Sequence, residues 1–587
     1  MQKSRIQVGV TAFPSTAIGE SQKLRISSLP MKCSPLAVAT AFVSLMAGGS
    51  VSAASIDLGV PDLKVSWDNT VKYSNAFRVK SQDSALLSNP NADDGDRNFD
   101  RGLVSNRFDV LSELDVRYQN FGARVSGSAW YDTVYNEDND NPGFAGGAYP
   151  NQTSVDYDEF TRRTRDLHGR KAELLDAFVY TRFDVGQMPS LVRLGQHGMV
   201  WGESLFFGSN AIAGAMAPVD ATKLISVPNT QFKEAIRPVP QFSGQIQLTP
   251  DVTFGAYYQF HYEPNRIPAV GSYFSWIDTN IDGGENMLLG PAGSVPRLSD
   301  KKARDSGQWG LQLRIRHDDT DYGLYVIRFH DKAQQVVTNL MNLTPGAAPT
   351  LLPASYYVAY QEDITAYGVS ASRTFDTVNL AIETSVRDKQ DLASAGHAAD
   401  YSRAFGTQAT NNSSHPGYPI GRTAHVNLSM VWSMDPNALF NEATVMGEIA
   451  WNRVLSCQKN CEIYDPATHQ GYIDNNSSRD ASALRVLFEP KYRQVLPGLD
   501  LSVPIGLGYA PKGSSSRALG SGAFPAENGG DITIGLNGAY MDAWRFTAAY
   551  THYMGAAKTF LDSDNSFSYG QSLKDRDFVA FSLSRTF

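Results

Sequence analysis

The sequence lacks the common signatures of catalysis. It contains no G-x-S-x-G, no H-E-x-x-H and no glycine-rich phosphate loop between a strand and a helix, which excludes the enzyme classes that those motifs define. Its 10 histidines are scattered along the chain rather than clustered. We therefore expect a protein without catalytic activity and without a cofactor.

Long hydrophobic runs are scarce as well. The one continuous apolar stretch, residues 34–55, follows Lys32 and ends in the small-x-small pattern Val51-Ser52-Ala53. Its apolar core is too short to span a membrane as a helix, and polar sequence follows it. This pattern predicts a secretory signal peptide over residues 1–53, with Met31 as its true start; a buried helix is the alternative.

Basic residues are too few to favour a nucleic-acid partner. Without residues 1–53 the chain keeps 46 Lys and Arg against 59 Asp and Glu, and so acidic a surface repels a phosphate backbone. Of the 3 cysteines, only Cys457 and Cys461 then remain. In an oxidising compartment their short spacing predicts a disulfide, and a metal or redox site is the alternative.

What the sequence has in abundance is alternation of apolar and polar residues. Aromatic residues make up 11% of the chain, yet the mean hydropathy is −0.29, the value of a water-soluble protein. In one segment Val252, Phe254 and Tyr258 share one face, while Thr253 and Gln259 share the other. A period of two is typical of strands with one apolar face.

The connections between these segments are alternately short and long. Short turns are predicted near Asn120, Gly186, Pro250, Asp319, Asp376, Pro436, Pro497 and Asp542, and long polar stretches lie between them. The segments number about eighteen, an even count that places both ends of the barrel sequence on the same side. Short periplasmic turns and long outer loops are the plan of a bacterial outer-membrane barrel.

A soluble β-sandwich or propeller explains this pattern less well, because neither requires strict alternation of long and short loops. The last strand ends on Phe587 and is expected to pair with the first, which closes the sheet and leaves no unpaired edge in lipid. We therefore predict an all-β fold. Residues 54–587 are expected to form a transmembrane antiparallel β-barrel in the lipid of the bacterial outer membrane.

Several stretches also resemble a known family. They include "DDGDRNFDRGLVSNRFDVLSELD", "VRLGQHGMVWGESLFF" and "YQFHYEPNRIPAVGSYFS", which are similar to the bacterial family catalogued as domain of unknown function 1302 (DUF1302). The resemblance covers essentially the whole chain after the signal peptide. It implies an outer-membrane protein with lipophilic cargo, accompanied by a second envelope family and by efflux-type inner-membrane transporters. It supplies no catalytic residues.

Charged residues are predicted on the inner face of several strands. Guanidinium groups along a water-filled wall could steer anions, or they could simply form balanced salt-bridge networks with inward carboxylates. Alternation assigns to this face the basic residues Arg314, Arg316, Arg328, Arg387, Arg485 and Arg545 and the acidic residues Glu383, Glu448 and Glu489.

Residues 201–238 are unusually apolar for an outer loop, with Phe206, Phe207, Ile212 and Met216 among them. Exposed, they would form a large hydrophobic patch. We therefore predict that this segment leaves the wall after strand five, folds into the lumen as a plug or constriction, and returns at strand six. The candidate pore-lining or substrate-binding residues are Trp201, Glu203, Asp220, Lys223, Lys233, Glu234, Arg237, Arg314, Arg316 and Arg328; the charges of the segment are expected to pair with the inward arginines and carboxylates.

One loop resembles the first half of a calcium-binding loop. Asp278, Asn280 and Asp282 have the required spacing, but the closing glutamate is replaced by Leu289. Asp, Asn and Gly also form ordinary turns. This stretch is thus a weak calcium candidate, and we predict no metal site.

Two functions from different classes fit these observations. The first is an outer-membrane channel or transporter for a small lipophilic or amphipathic solute. The second is an envelope barrel that does not transport and acts through its long outer loops in adhesion or structure. A third class, an outer-membrane hydrolase, would need a Ser/His/acid cluster that the sequence does not reveal.

Overall fold

The computed structural model describes residues 54–56, 58–143, 151–227, 232–344 and 350–587. The predicted signal peptide at 1–53 lies outside this described part of the chain. Within it, no helix has both the length and the apolar character needed to cross a membrane.

Antiparallel strands dominate the described residues, and eighteen of them follow one another around a single sheet. We number them β1 to β18. They are β1 Leu63–Arg78, β2 Gly102–Tyr118, β3 Phe121–Asp132, β4 Arg170–Val185, β5 Met188–His197, β6 Val239–Thr249, β7 Val252–Gln259, β8 Gln308–His317, β9 Thr320–Phe329, β10 Ile364–Phe375, β11 Val378–Asp391, β12 Ile420–Met434, β13 Glu442–Lys459, β14 Asp480–Leu496, β15 Leu499–Ser502 continued by Ile505–Ala510, β16 Gly529–Tyr540, β17 Trp544–Met554 and β18 Phe578–Thr586.

The sheet closes on itself because β18 pairs with β1. Phe578–Thr586 lies antiparallel to Thr70–Arg78, and the backbone groups of Asn69 and Phe587 exchange hydrogen bonds of 2.8 and 2.9 Å. Closure satisfies every strand edge, which a sheet in hydrocarbon requires. The predicted transmembrane β-barrel is thereby confirmed.

Short turns and long loops alternate around the barrel, as predicted from the sequence. At one end most neighbouring strands are joined by two or three residues, and the exception is the connection 435–441. Gly186 and Asp376 in these turns have φ values of 67° and 55°, the left-handed conformation that tight hairpins need and that Gly and Asp tolerate. The long loops all lie at the opposite end.

The outer face of the barrel is a belt of exposed apolar side chains. Leu194, Val179 and Ile449, for example, are 51%, 56% and 60% exposed, whereas residues next to them in sequence point inward. Such a surface is unstable in water and matches the hydrocarbon region of a bilayer. The barrel thus lies in the bacterial outer membrane.

The long loops carry small elements of their own. Short strands Asn286–Leu288 and Ser294–Pro296 pair with each other, and Gln335–Asn342 pairs with Leu351–Ala359 and, in parallel, with Ala399–Asp400. The strand Ala54–Ile56 is added to β1. Four short α-helices are described: Asp94–Arg97, Arg162–Thr164, Ala221–Ser226 and Ser402–Phe405.

Buried charges join three of the long loops at the outer end, 79–101, 260–307 and 555–577. The Nη2 atom of Arg78 lies 2.6 Å from Asp96 and 3.0 Å from Asp575, with both arginine and aspartate side chains almost fully enclosed. Arg576 donates to the backbone carbonyls of Tyr273 and Ser275 at 2.6 and 2.5 Å. These contacts give the loops a fixed arrangement over the barrel mouth.

Candidate functional site

The chain between β5 and β6 turns into the barrel instead of outward. We call residues 201–238 the lumenal segment; positions 228–231 within it are not described. Its described part contains the short 3₁₀ helices Ile212–Ala215 and Phe232–Ala235 and the helix Ala221–Ser226. Side chains that strands β7 to β15 direct inward contact it, so the segment lies inside the lumen.

Glu448 on β13 holds the first turn of this segment. Its carboxylate accepts hydrogen bonds from the backbone N–H groups of Leu205 at 3.1 Å, Phe207 at 2.9 Å and Phe206. The Ser204 hydroxyl, at 2.8 Å, also donates to it. Glu448 is 2% exposed. Consecutive N–H groups of irregular backbone need acceptors when they leave water, and this carboxylate supplies them.

Glu383 on β11 has the same role for the neighbouring turn of the segment. It accepts from the backbone N–H of Glu203 at 2.6 Å and from that of Ile212. Beside these contacts Gly202 has a φ of 98°, and a Cβ atom there would lie 2.4 Å from Glu383 Oε2. Only glycine fits both the conformation and the close approach.

A guanidinium and an amide complete the polar contacts. Arg387 on β11 donates to the carbonyl oxygens of Ser209 at 2.9 Å and Ala211 at 2.8 Å. The Asn210 side chain donates to Asn427 at 2.9 Å and accepts from Asn452 at 3.0 Å. The barrel wall therefore supplies partners to both N–H and C=O groups of the segment's backbone.

Apolar contacts fix the same face of the segment. Ile212, Ala215 and Met216 pack in one buried cluster with side chains of β7, β9 and β10. Trp201 stands edge-on to Tyr257, with ring centroids 5.1 Å apart. Farther round the barrel, Phe207 packs on the small residues Ala450, Ala483 and Ala510. We call the wall from β7 to β15 that makes these contacts the docking wall.

Strands β1 to β4 present a different, charged inner surface. Arg107 lies 2.6 Å from Asp109, and Arg124 lies 3.3 Å from Asp176 and also pairs with Glu113. These side chains are about one-fifth to one-third exposed, so water reaches them. This charged wall comprises Lys72, Arg107, Asp109, Glu113, Arg124 and Asp176.

Sequence comparison places the chain in a family at this point. The profile described as "Protein of unknown function (DUF1302)" matches residues 34–587. The chain belongs to the DUF1302 family. No curated protein matches it.

Solved structures that resemble the DUF1302 chain are outer-membrane proteins. OccAB3 of Acinetobacter baumannii matches with a TM-score of 0.39 and 9% identity over 90% of this chain and 100% of that one. OccD3 of Pseudomonas aeruginosa matches with a TM-score of 0.38 and 10% identity over 91% of this chain and 93% of that one. OmpF of Salmonella typhi in complex with daunomycin matches with a TM-score of 0.34 and 7% identity over 91% of this chain and 100% of that one. At these scores the likeness supports no argument about function.

The charges of the lumenal segment in this DUF1302 protein find varied partners. Glu203 approaches Arg314 at 4.0 Å, and Asp220 pairs with Arg266 at 2.9 Å. Arg237 donates to the Pro264 carbonyl at 3.0 Å. Lys223 and Lys233 are exposed, and the Glu234 side chain lies outside the described residues.

The predicted pairing of these charges is present at Glu203, which lies near the inward Arg314, and at Arg237, which lies 3.7 Å from Glu263. The predicted inward carboxylates have other partners. Glu383 and Glu448 bind backbone N–H groups, because the irregular backbone of the segment carries donors that have no partner of their own. Sequence reasoning also missed Gly202 and Asn210. The available signal was a pair of inward glutamates on strands that otherwise present small or amide side chains.

Four of the predicted inward arginines lie in differing surroundings. Arg485 is paired with Asp531 at 3.1 Å; Arg316 and Arg545 lie near the short-turn end of their strands. Arg328, however, shares the face of β9 that carries the exposed residues Tyr322 and Leu324. The prediction that Arg328 faces the lumen is therefore wrong. Both faces of β9 are apolar, so alternation could not fix its orientation.

The acidic loop gives Asp278 partners other than those expected. Asp278 is fully buried and accepts from the backbone N–H groups of Asp93 at 2.7 Å and Asp94 at 3.1 Å, whereas Asp282 is exposed. The carboxylates of Asp93, Asp94 and Asp278 lie within 4.8 Å of one another. Burial raises the pKa of Asp93 to about 7 and of Asp94 to about 6, and it raises the pKa of Asp278 as well.

At the outer end of β13, Cys457 and Cys461 are joined by a disulfide, with their Cα atoms 5.7 Å apart.

Proposed function

We propose that this protein is an outer-membrane channel for small lipophilic or amphipathic solutes, and that the lumenal segment is its constriction. The observation that carries the proposal is the binding of the segment's backbone by Glu448, Glu383 and Arg387 from the inner wall. Barrels of sixteen to eighteen strands enclose roughly enough room for an aqueous channel when nothing fills them. A segment held across part of that room narrows it.

The two inner surfaces support a passage beside the segment. The docking wall is covered by the segment, whereas the charged wall keeps side chains in contact with water. Solutes would therefore pass between the segment and the uncovered strands. The partly exposed ion pairs along that route would remain hydrated and would favour solutes with some polar character.

The experiment is a conductance comparison in planar bilayers. Residues 205–232 are replaced by a short Gly/Ser linker, and a control variant receives the same kind of linker in place of the exposed loop 405–409. Both proteins must first show the heat-dependent gel mobility of a folded barrel. We expect larger single-channel conductance for the first variant and an unchanged value for the control.

Two outcomes would contradict the proposal. An unchanged conductance in a folded 205–232 variant would show that the segment does not restrict the pore. Absence of any conductance in all three proteins would instead favour the second candidate, an envelope barrel that acts through its outer loops.

A further inference from the structure

A cavity of about 310 Å³ lies beside the lumenal segment, at the edge of the docking wall. It is lined by the segment itself, by inward side chains of β14, β16 and β17, by the outer loops 511–528 and 555–577, and by Trp276 of the outer loop 260–307. Pockets for small molecules begin at about this volume, 300 Å³. The cavity therefore has the size of a binding site and lies where a solute would meet the constriction from outside.

Several aromatic side chains line the cavity. Phe206 and Phe207 enter it from the segment, and Phe524 and Phe560 enter it from the two outer loops. Phe207 and Phe524 meet edge-on, with ring centroids 5.5 Å apart. Aromatic rings offer large contact area to a flat apolar molecule at little cost in side-chain entropy.

A bidentate ion pair lines part of the cavity. Both Nη atoms of Arg485 donate to Asp531, each at 3.1 Å. Among the described residues that line the cavity, these two are the only charged side chains. Gly508 leaves room for the pair, because a Cβ there would lie 2.7 Å from Asp531. Beside it, the hydroxyls of Thr533 and Thr551 are 3.0 Å apart.

An ion pair of this kind selects against charged ligands. An anion would have to displace Asp531 from Arg485, and a cation would have to displace Arg485, each leaving a charge without its partner in a half-enclosed site. A neutral molecule can donate to the carboxylate edge or accept from the threonine hydroxyls without breaking the pair.

We infer that this cavity binds a neutral amphipathic solute with a flat apolar body and one hydroxyl or carbonyl group. The inference rests on the proposed channel function, since it places a solute site at the channel constriction. Arg485 links the cavity to the lumenal segment, because its guanidinium lies 5.8 Å from the ring centre of Phe206 on the segment.

The test uses three naphthalene probes of nearly equal shape: neutral naphthol, anionic naphthoate and cationic naphthylmethylammonium. Each is titrated calorimetrically into the full-length protein in lipid nanodiscs, with protein-free nanodiscs as the blank. We expect saturable binding of naphthol, and binding of either charged probe weaker by about tenfold or more, the penalty of an unpaired polar group.

Variants of the ion pair should change this preference in opposite directions. Asp531→Asn frees the guanidinium and should make naphthoate the best ligand, whereas Arg485→Gln frees the carboxylate and should favour the cation. Asp480→Asn is the matched control, since Asp480 pairs with Arg453 at 3.1 Å outside the cavity. It should leave the order of the probes unchanged.

The binding measurement tests the cavity, and the conductance measurement tests the channel function, so either hypothesis can be contradicted without the other. Absence of saturable naphthol binding, or variants that leave the preference unaltered, would overturn the inference even if the 205–232 variant conducts more. Charge-dependent binding in a protein without conductance would support the cavity assignment and contradict the channel.

Discussion

The two sides of the lumenal segment differ in their contacts with the barrel. Toward β7 to β13 its backbone is bound by the buried side chains Glu383, Arg387 and Glu448. Toward β16 and β17 it faces the cavity, which Phe206 and Phe207 line. The first side fixes position, and the second leaves room for a solute. The proposed constriction needs both, because an unfixed segment would not narrow the pore and a fully packed one would close it.

Removing the acceptor on the fixed side should have the largest effect. Glu448→Ala leaves three backbone N–H groups without their acceptor, and each buried orphan costs about 1–3 kcal/mol. We expect the free energy of unfolding to fall by about 3 kcal/mol or more. Equilibrium urea unfolding in detergent micelles, read by gel mobility, measures it.

Glu489→Ala is the matched control for that variant. Glu489 is also a lumenal carboxylate, but it accepts from Ser502 on the neighbouring strand at 2.6 Å. Its removal should cost about 1 kcal/mol, the loss of one ordinary hydrogen bond. Equal losses of unfolding free energy in the two variants would contradict the claim that Glu448 stabilises the fold by binding the segment's backbone.

A smaller effect is expected where the segment approaches the wall most closely. Gly202→Ala puts a methyl group 2.4 Å from Glu383 and requires a residue with a side chain to adopt a φ of 98°. A strained backbone of this kind costs about 1–3 kcal/mol. Glu383→Ala should relieve the clash, so the double variant should lose less than the sum of the two single ones. Additive losses in that urea-unfolding cycle would contradict the contact between Gly202 and Glu383.

The mildest perturbation is a change of pH, which should act on the outer loops. The buried carboxylates Asp93, Asp94 and Asp278 have raised pKa values, about 7 for Asp93 and about 6 for Asp94. Their protonated forms therefore stabilise the folded loops. This stabilisation is complete below the ordinary pKa of 3.8 and is lost as the pH rises through about 6 to 7.

Hydrogen exchange, corrected for the intrinsic rate, measures this loss at the backbone amides of Asp93 and Asp94. Protection should decrease between about pH 5 and about pH 8 in the wild type and should change less in Asp278→Asn. A constant protection across this range would show that the carboxylates do not titrate as stated.

The barrel could be predicted from the sequence because its determinants are local. Alternation, tight turns such as Gly186, and the difference between short and long connections are all readable within a few residues. The same holds for the inward course of residues 201–238, since an apolar stretch in an outer loop demands cover. Each of these features is repeated or extended enough to outweigh individual exceptions.

The contacts of the site depend on residues far apart in sequence, and these could not be predicted. Glu448 binds Phe207 from 241 positions away, and Asp278 meets Asp93 rather than its neighbour Asp282. The predicted orientation of the Arg328 side chain was wrong because Tyr322 and Tyr325 make the two faces of β9 alike. Backbone donors are identical in every residue, so no side-chain pattern marks which of them a carboxylate will bind.

Single-channel conductance of Glu448→Ala tests the central claim most directly, since it releases the segment without shortening the chain. The account predicts a conductance higher than that of the wild type, with added current noise as the freed segment moves, and a wild-type value for folded Glu489→Ala. A folded Glu448→Ala barrel that conducts as the wild type does would contradict it.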